Sequence, residues 1–348
     1  MLLLVLAHVA LLCHSLSIDG DNGMWKLPPA PSSVADPSRR DVFAAAGVTA
    51  AGLWLPRKAV ADTSTGGSTS TSGTGPIAIV GASGRTGALC VASCLQRGIP
   101  VRALTRSGSW SPPVTATDAG DESTFAVDNG LLSIQQCDAR DLAALEVGVA
   151  GCRGVIYAAS ASKKGGNAKA IDNEAVVSTG NACIAKGVDR YVVISSTATT
   201  RPKSLGYLFT NVYQNIMAEK RLGELGVMSA YKDRDASQTY SIIRPGGLEE
   251  PKLNAVLGPK SLELSQGDAL AGIISRADLA EVAVEAALSR SKSLQNASFE
   301  LYYESSAQPC EGRFKPLLQN GDVARIHGDL YSELFSQLKS DGEYYVPV

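Results

Sequence analysis

Residues 76–95 read PIAIVGASGRTGALCVASCL. An apolar run, Ile77 to Val80, meets three glycines, Gly81, Gly84 and Gly87, and then a stretch with helical spacing of small and apolar residues. Glycine at those places serves either a phosphate cradle or a flexible turn between two ordinary elements. The spacing is G-x-x-G-x-x-G rather than the more familiar G-x-G-x-x-G, so the motif does not decide by itself. Its surroundings do.

From Pro76 onward short β-branched runs alternate with longer helical patterns. The spacing predicts strands at 77–81, 101–105, 132–136, 154–158, 191–195, 241–244 and 299–302. Helices are predicted at 85–97, 140–147, 173–186, 208–225 and 277–289. Several of the strand runs are apolar throughout, as strands covered on both faces must be. Regular alternation of this kind gives an α/β fold: a Rossmann-type doubly wound parallel sheet with helices on both faces and right-handed crossovers. One domain over 76–348, with a small C-terminal substrate region, accounts for the pattern. The segment LYSELFSQL, 330–338, has amphipathic spacing and is expected to close one face.

In that context the glycines follow a buried strand, open a helix and lie in the first βαβ unit, the arrangement a dinucleotide site requires. Gly81 permits the sharp exit from the strand, Gly84 the approach of backbone to a pyrophosphate, and Gly87 close packing of helix on sheet. Ser83, Arg85 and Thr86 complete the loop at the positive end of the helix. The end of the second strand then selects the cofactor. An acid there would accept bonds from the adenosine ribose hydroxyls of NAD. The chain instead reads LTRS, with Arg106 placed to bind a 2′-phosphate, and Arg85 able to help, so NADP(H) is the expected cofactor. CDARD after the third strand puts Asp138 and Ala139 beside the adenine. YAAS after the fourth puts Ala158, Ala159 and Ser160 beside the adenosine.

The totals narrow the alternatives. The 348 residues carry a net charge of -2, which gives no reason to expect nucleic acid as a partner. Seven scattered cysteines form no C-x-x-C, and two of three histidines, His8 and His14, lie at the extreme N-terminus, so no metal site is expected. Residues 1–75 read as a targeting leader. An apolar segment resembles a secretory signal; Arg39-Arg40, a second apolar run and Ala59-Val60-Ala61 resemble a twin-arginine signal; a Gly/Ser/Thr linker follows. Two such signals in series resemble the targeting of plastid proteins in algae with complex plastids, with stroma and thylakoid lumen both left open. No stable membrane span is expected in the mature chain. The insertion at 107–130 reads as a surface loop or lid whose Trp110 and Phe125 could cover the adenosine.

Taken together, the glycine loop, LTR (104–106), CDARD (137–141), GVDRYVVISS (187–196), NIMAEKRLGEL (215–225), YSIIRPGGL (240–248) and ISRADLAEV (274–282) resemble the atypical short-chain dehydrogenase/reductases of the NmrA-like NAD(P)-binding group, of the plastid and cyanobacterial type. The resemblance spans roughly 76–305. It implies a Rossmann fold and usually NADP(H), in reductases of quinones, enones and tetrapyrroles and also in proteins that bind the cofactor without turnover. By that resemblance Ser195 and Ser196 line the nicotinamide site, and Asn215 and Lys220 match an N-x-x-x-x-K run on the next helix. Pro245, Gly246 and Gly247 curl over the nicotinamide, and Arg276 and Asp278 serve as helix cap and structural ion pair.

The Tyr-x-x-x-Lys pair of the wider superfamily is missing: no tyrosine has a lysine four residues on. Candidates for the proton donor are Tyr207, Lys220 and Ser196, with Lys203 and water also open. Two functions follow. One is a plastid reductase transferring hydride to a conjugated or quinoid small molecule. The other is a non-catalytic NADP(H)-binding scaffold or redox-sensing factor for photosynthetic complexes. A third, an isomerase or dehydratase with transient use of nicotinamide, is disfavoured by the absent Tyr/Lys pair.

Overall fold

A computed structural model of the chain describes residues 74–113, 130–162, 166–234, 236–249, 256–309 and 325–344. The leader up to residue 73 and most of the insertion, Phe125 included, lie outside the described residues.

In chain order the elements are β1 (Ile77–Val80), α1 (Arg85–Gln96), β2 (Val101–Thr105), β3 (Leu132–Gln136), α2 (Leu142–Val149), β4 (Gly154–Tyr157), a π-helical turn (Lys169–Glu174) and α3 (Ala175–Ala185). They continue with β5 (Arg190–Ile194), α4 (Leu205–Asn211), α5 (Ile216–Tyr231), β6 (Thr239–Pro245), β7 (Gly247–Glu249), β8 (Leu262–Ser265), β9 (Leu270–Ala271) and β10 (Ile273–Ser275). Last come α6 (Arg276–Leu288), β11 (Ala297–Tyr303), β12 (Gln308–Pro309), β13 (Arg325–Ile326), α7 (Tyr331–Ser336) and α8 (Asp341–Tyr344).

The main sheet has nine strands in the order β13-β8-β11-β6-β5-β4-β1-β2-β3. From β11 to β3 every pairing is parallel, with Ile77 opposite both Val101 and Gly154. Successive side chains leave a strand on opposite faces, and here both faces are apolar. Ile77 and Ile79 join Val91, Cys94, Val192, Leu279 and Phe299 on one side. Ala78 and Val80 join Leu145, Val176, Tyr191, Val193 and Val227 on the other. Helices α1, α6 and α7 therefore cover the first face, and α2, α3 and α5 the second. Arg97 near the end of α1 reaches Glu285 of α6 at 2.8 Å, tying the first layer together. Leu334 and Phe335 of α7 are buried against Phe299, as the amphipathic spacing of 330–338 predicts.

Two expectations need correction. The sheet is not wholly parallel: β8 runs antiparallel to β11, and β13 antiparallel to β8, so the C-terminal residues complete an edge of the same sheet. The predicted helix 208–225 is two helices. Gln214 and Asn215 stand in the left-handed region, with φ of 52° and 56°, and Asn215 caps α5. Asparagine tolerates that conformation better than most residues, so NVYQN breaks what apolar spacing alone would run together.

Candidate functional site

In an open α/β sheet the crevice opens at the carboxyl ends of the strands, where the strand order reverses. Here that place lies between β1 and β4. Gly81 leaves β1 with φ 81°, and a Cβ on it would sit 2.8 Å from the backbone of Ala159. Ala158 and Ala159, predicted as room for the ligand, are thus also what presses β4 against the glycine loop. The Gly84 amide closes the turn onto the Gly81 carbonyl at 2.9 Å. The Gly84 N–H is therefore engaged in the turn itself. Gly84 caps α1 without a side-chain bond, so the amides of the first turn, Arg85, Thr86 and Gly87, receive no side-chain cap. A Cβ on Gly87 would overlap the Gly81 carbonyl oxygen and stand 2.9 Å from its carbon. The loop is a cradle only glycine allows.

Beside it lies a groove of about 450 Å³ lined by Ser83, Gly84, Arg85, Ser107, Ser109 and Trp110, among others. Trp110 is buried and also belongs to the core on that face. Arg106 is exposed at the end of β2, and its backbone carbonyl accepts a bond from Gln136 Nε2 at 3.1 Å. Sequence reasoning missed Gln136; its place at the end of the neighbouring strand is the only signal for it. Asp138 stands close enough to Arg106 to feel its charge, but its nearer partner is Arg140. Arg140 Nε reaches Oδ1 at 2.9 Å and Nη2 reaches Oδ2 at 2.5 Å. Those bonds hold the Asp138 carboxyl down at about 2. Each oxygen thus has a partner in Arg140 and, as a carboxylate, keeps further acceptor capacity, while Ala139 is buried beside it. The groove and cradle fit the adenosine and diphosphate of a nicotinamide dinucleotide.

Across the crevice the serine-rich end of β5 is differently engaged. Ser195 Oγ donates to Glu224 Oε1 at 2.6 Å, and Glu224 is held by Arg244, whose Nε and Nη2 lie 3.1 and 2.9 Å from it. Arg244 also donates to Glu300 at 3.2 Å. Arg244 and Glu300 are 0% exposed and Glu224 is 1% exposed. Burial pushes Glu300 up to about 7, while the guanidinium beside Glu224 outweighs its burial and holds that carboxyl below its usual range. Buried charges persist only in such pairs. Ser195 is thus a member of an internal ion network, and it also lines the small cavity beside Lys220. Ser196 is half-buried and donates to the Thr197 carbonyl at 3.1 Å.

The turn after β5 is fastened by Asp268, another buried acid that sequence reasoning missed. Its carboxylate accepts from the Ala198 amide at 2.8 Å and the Thr200 hydroxyl at 2.7 Å, and pairs with Arg201 at 3.1 Å. These contacts hold Ala198 at φ 67°, a conformation that costs about 1 kcal/mol for a residue with a Cβ. The Tyr207 side chain is buried with Ala168, Ala198, Ile216 and Met217, which gives it a packing role. Pro245 ends β6 and accepts the Thr197 amide at 3.0 Å. A Cβ on Gly246 would come 2.7 Å from the Tyr302 ring, and Gly247, exposed, donates to the Gly272 carbonyl at 2.9 Å to start the β7–β10 pair. Ser275 caps α6 through its Oγ and the Asp278 amide. Asp278 in turn accepts from Tyr303 at 2.6 Å and from the amides of Leu257 and Gly258. Ser275, rather than Arg276 or Asp278, is thus the helix cap, and the Arg276 side chain reaches the Glu249 carbonyl at 3.5 Å.

Lys220 completes the wall. Its Nζ lies 2.7 Å from Asp172 Oδ1, and both line a cavity of about 10 Å³ with Ala159, Ser195 and Tyr157. Ser160 donates to the same Asp172 oxygen at 2.7 Å. The structure therefore brings together Gly81, the Ala159–Ser160 exit of β4 and Lys220, and separates Tyr207 from them into its own cluster. No helix of the described residues is long and apolar enough to cross a membrane.

A family model described as NAD(P)H-binding matches residues 81–290. The chain belongs to that family. The match covers the glycine loop, the groove and Lys220, and bears out the resemblance to atypical, NmrA-like short-chain dehydrogenase/reductases. Among relatives of this NAD(P)H-binding protein, an uncharacterised chloroplastic protein of Arabidopsis thaliana is 28% identical over 233 residues, covering 62% of this chain and 73% of its own. Among solved structures, the oxidoreductase YlbE of Lactococcus lactis is 17% identical, covers 67% of this chain and 92% of its own, and has a TM-score of 0.51. The anaerobilin reductase ChuY of Escherichia coli O157:H7 is 19% identical over 68% of this chain and 100% of its own, with a TM-score of 0.49. The first of these two shares the Rossmann-like fold.

Proposed function

We propose that the protein is a plastid NADPH-dependent reductase that passes hydride to a conjugated or quinoid small molecule. The observation that carries the cofactor choice is the end of β2: Arg106 is exposed beside a groove lined by Arg85, Ser107 and Ser109, at the place where an NAD-specific chain carries an acid. A 2′-phosphate there would meet a guanidinium able to fork onto it. A bound dinucleotide would supply the hydride; the first turn of α1 would hold its diphosphate, and Lys220 would stand toward its nicotinamide half. Reduction of an activated double bond needs orientation and a proton. With Tyr207 packed away and Lys220 clamped by Asp172, water is the proton source in this reading. The double leader and the chloroplastic relative support a plastid location.

A second reading, an NADP(H)-binding scaffold or redox-sensing assembly factor for photosynthetic complexes, is favoured by one observation. The Ser195 hydroxyl already donates to Glu224, and the Tyr207 side chain is engaged in apolar packing, so the usual acid has no evident counterpart among them. Stopped-flow NADPH oxidation against a panel of quinones, enones and tetrapyrroles separates the two. Turnover with any of them supports the reductase; tight NADPH binding with no oxidation supports the scaffold. A fluorescent fusion of residues 1–75 that stays in the secretory route would defeat the plastid location.

A further inference from the structure

Asp172 belongs to the stretch KAIDNE, and no motif of the glycine-loop fold points to it. It sits in the π-helical turn Lys169–Glu174, where the backbone winds wider than an α-helix before passing into α3. Such turns recur where a side chain must be aimed off the regular helical face. Asp172 is 1% exposed, and its carboxylate accepts three bonds. Lys220 and Ser160 meet Oδ1, each at 2.7 Å, and the Ala161 amide meets Oδ2 at 2.9 Å. A carboxylate this deep is costly unless it is paired, so its partners are placed as firmly as it is.

Those partners come from two elements that meet at Asp172. Ser160 and Ala161 continue the β4 exit that abuts Gly81, and Lys220 stands on α5. Gly223, one turn beyond Lys220, allows the approach: a Cβ there would come 2.5 Å from the Asp172 carbonyl oxygen. A second tie runs alongside, from Asn173 Nδ2 to Glu219 Oε2 at 2.9 Å. An ammonium held this way is a fixed charge. It is suited to bind and orient a ligand and is poorly placed to swing out as an acid.

We propose that Asp172 is a positioning residue that fixes the Lys220 ammonium against the terminal ribose on the nicotinamide side of NADP(H). The inference rests on the cofactor reading above, and its test separates the two. Calorimetric titration of the full chain uses three ligands: NADPH, 2′-phospho-ADP-ribose, which keeps the terminal ribose, and adenosine 2′,5′-bisphosphate, which lacks it. Asp172→Asn is expected to weaken the first two by about tenfold, the loss of one charge-assisted contact, and to leave the third within about twofold. Lys220→Met should give the same pattern, and the double variant should be no worse than Lys220→Met alone. Asn173→Ala, which cuts the neighbouring tie in the same turn, should leave all three affinities in place. Should Asp172→Asn fail to fold, Asp172→Glu keeps the charge, displaces it by one methylene and is expected to give the same selective loss. Equal weakening of all three ligands, or an unchanged affinity for NADPH, overturns the positioning role. If the unaltered chain binds none of the three, the cofactor reading itself falls.

Discussion

Gly87 is the residue on which helix α1 comes down onto the glycine loop, and Gly87→Ala tests the cradle directly. The added methyl group would overlap the Gly81 carbonyl oxygen, and its contact to the Gly81 carbonyl carbon must open from 2.9 Å to at least 3.4 Å. Neither atom belongs to a flexible side chain, so α1 has to lift as a unit. Alanine inside a helix gains about 1 kcal/mol over glycine, while overpacking of this kind costs about 1–3 kcal/mol. The net effect on folding is therefore small, a loss on the order of 1 kcal/mol. Binding suffers more. The first-turn amides move with the helix, and a hydrogen bond to a charged phosphate is worth about 1.5–3 kcal/mol. Losing one such bond weakens NADPH by about 10- to 100-fold. The assay is nicotinamide fluorescence titration of the full chain, with thermal unfolding run beside it. Gly206→Ala is the control, because a Cβ there meets nothing within 4 Å and it too lies in a helix, α4. An unchanged NADPH affinity in folded Gly87→Ala would show that the diphosphate does not rest on this turn.

Three further outcomes are expected. Arg106→Ala should raise the Kd for NADPH by about 10- to 100-fold, the worth of a charge-assisted contact, and leave NADH as it was; an equal loss for both cofactors would remove Arg106 as the selector. Trp110 borders the groove, so NADPH should quench tryptophan emission in the native chain, and Trp110→Phe should abolish that change without abolishing binding; quenching that survives the substitution would place the ligand elsewhere. Glu300 is pushed up to about 7 by burial from an ordinary 4.5, so the folded state keeps a proton that the unfolded chain has released. Its contribution to stability is complete below about 4.5 and is lost as the pH rises through about 7. Urea unfolding at pH 5 and pH 8 should show Glu300→Gln with the smaller fall; identical falls in both proteins would contradict the assignment.

The parts of the fold that could be read from the sequence are those set by local chemistry. Strands β2 and β3 have the bounds that their residue pattern predicts, and Gly81, Gly84 and Gly87 announce β1 and α1, because an apolar run and a glycine turn report on themselves. The missed features depend on partners far away in the chain. Glu224 reads as a solvated position of an amphipathic helix until Arg244, on β6, comes to lie 2.9 Å away. Strand β8, LELS, carries a glutamate at position 263 that looks wrong for a buried strand; Arg325, on the facing strand β13, meets it at 2.5 Å. Asp172 falls just before the predicted helix at 173–186, in a π-turn that no composition signal marks, and its partners Ser160 and Lys220 lie 12 and 48 residues away in the chain.

The strand order has a further consequence. The dinucleotide loop hangs from β1, whereas 197–231, 246–249 and 256–275 follow β5, β6 and the short β7–β10 pair. The Asp172 carboxylate ties the β4 exit, at Ser160 and Ala161, to Lys220 of that second group. The far wall can therefore change, by a longer turn or an exchanged helix, only where Lys220 and the Asp172 carboxylate that holds it stay in place. Chimeras that take 256–275 from a relative and keep that pair should retain the glycine-loop grip on the cofactor.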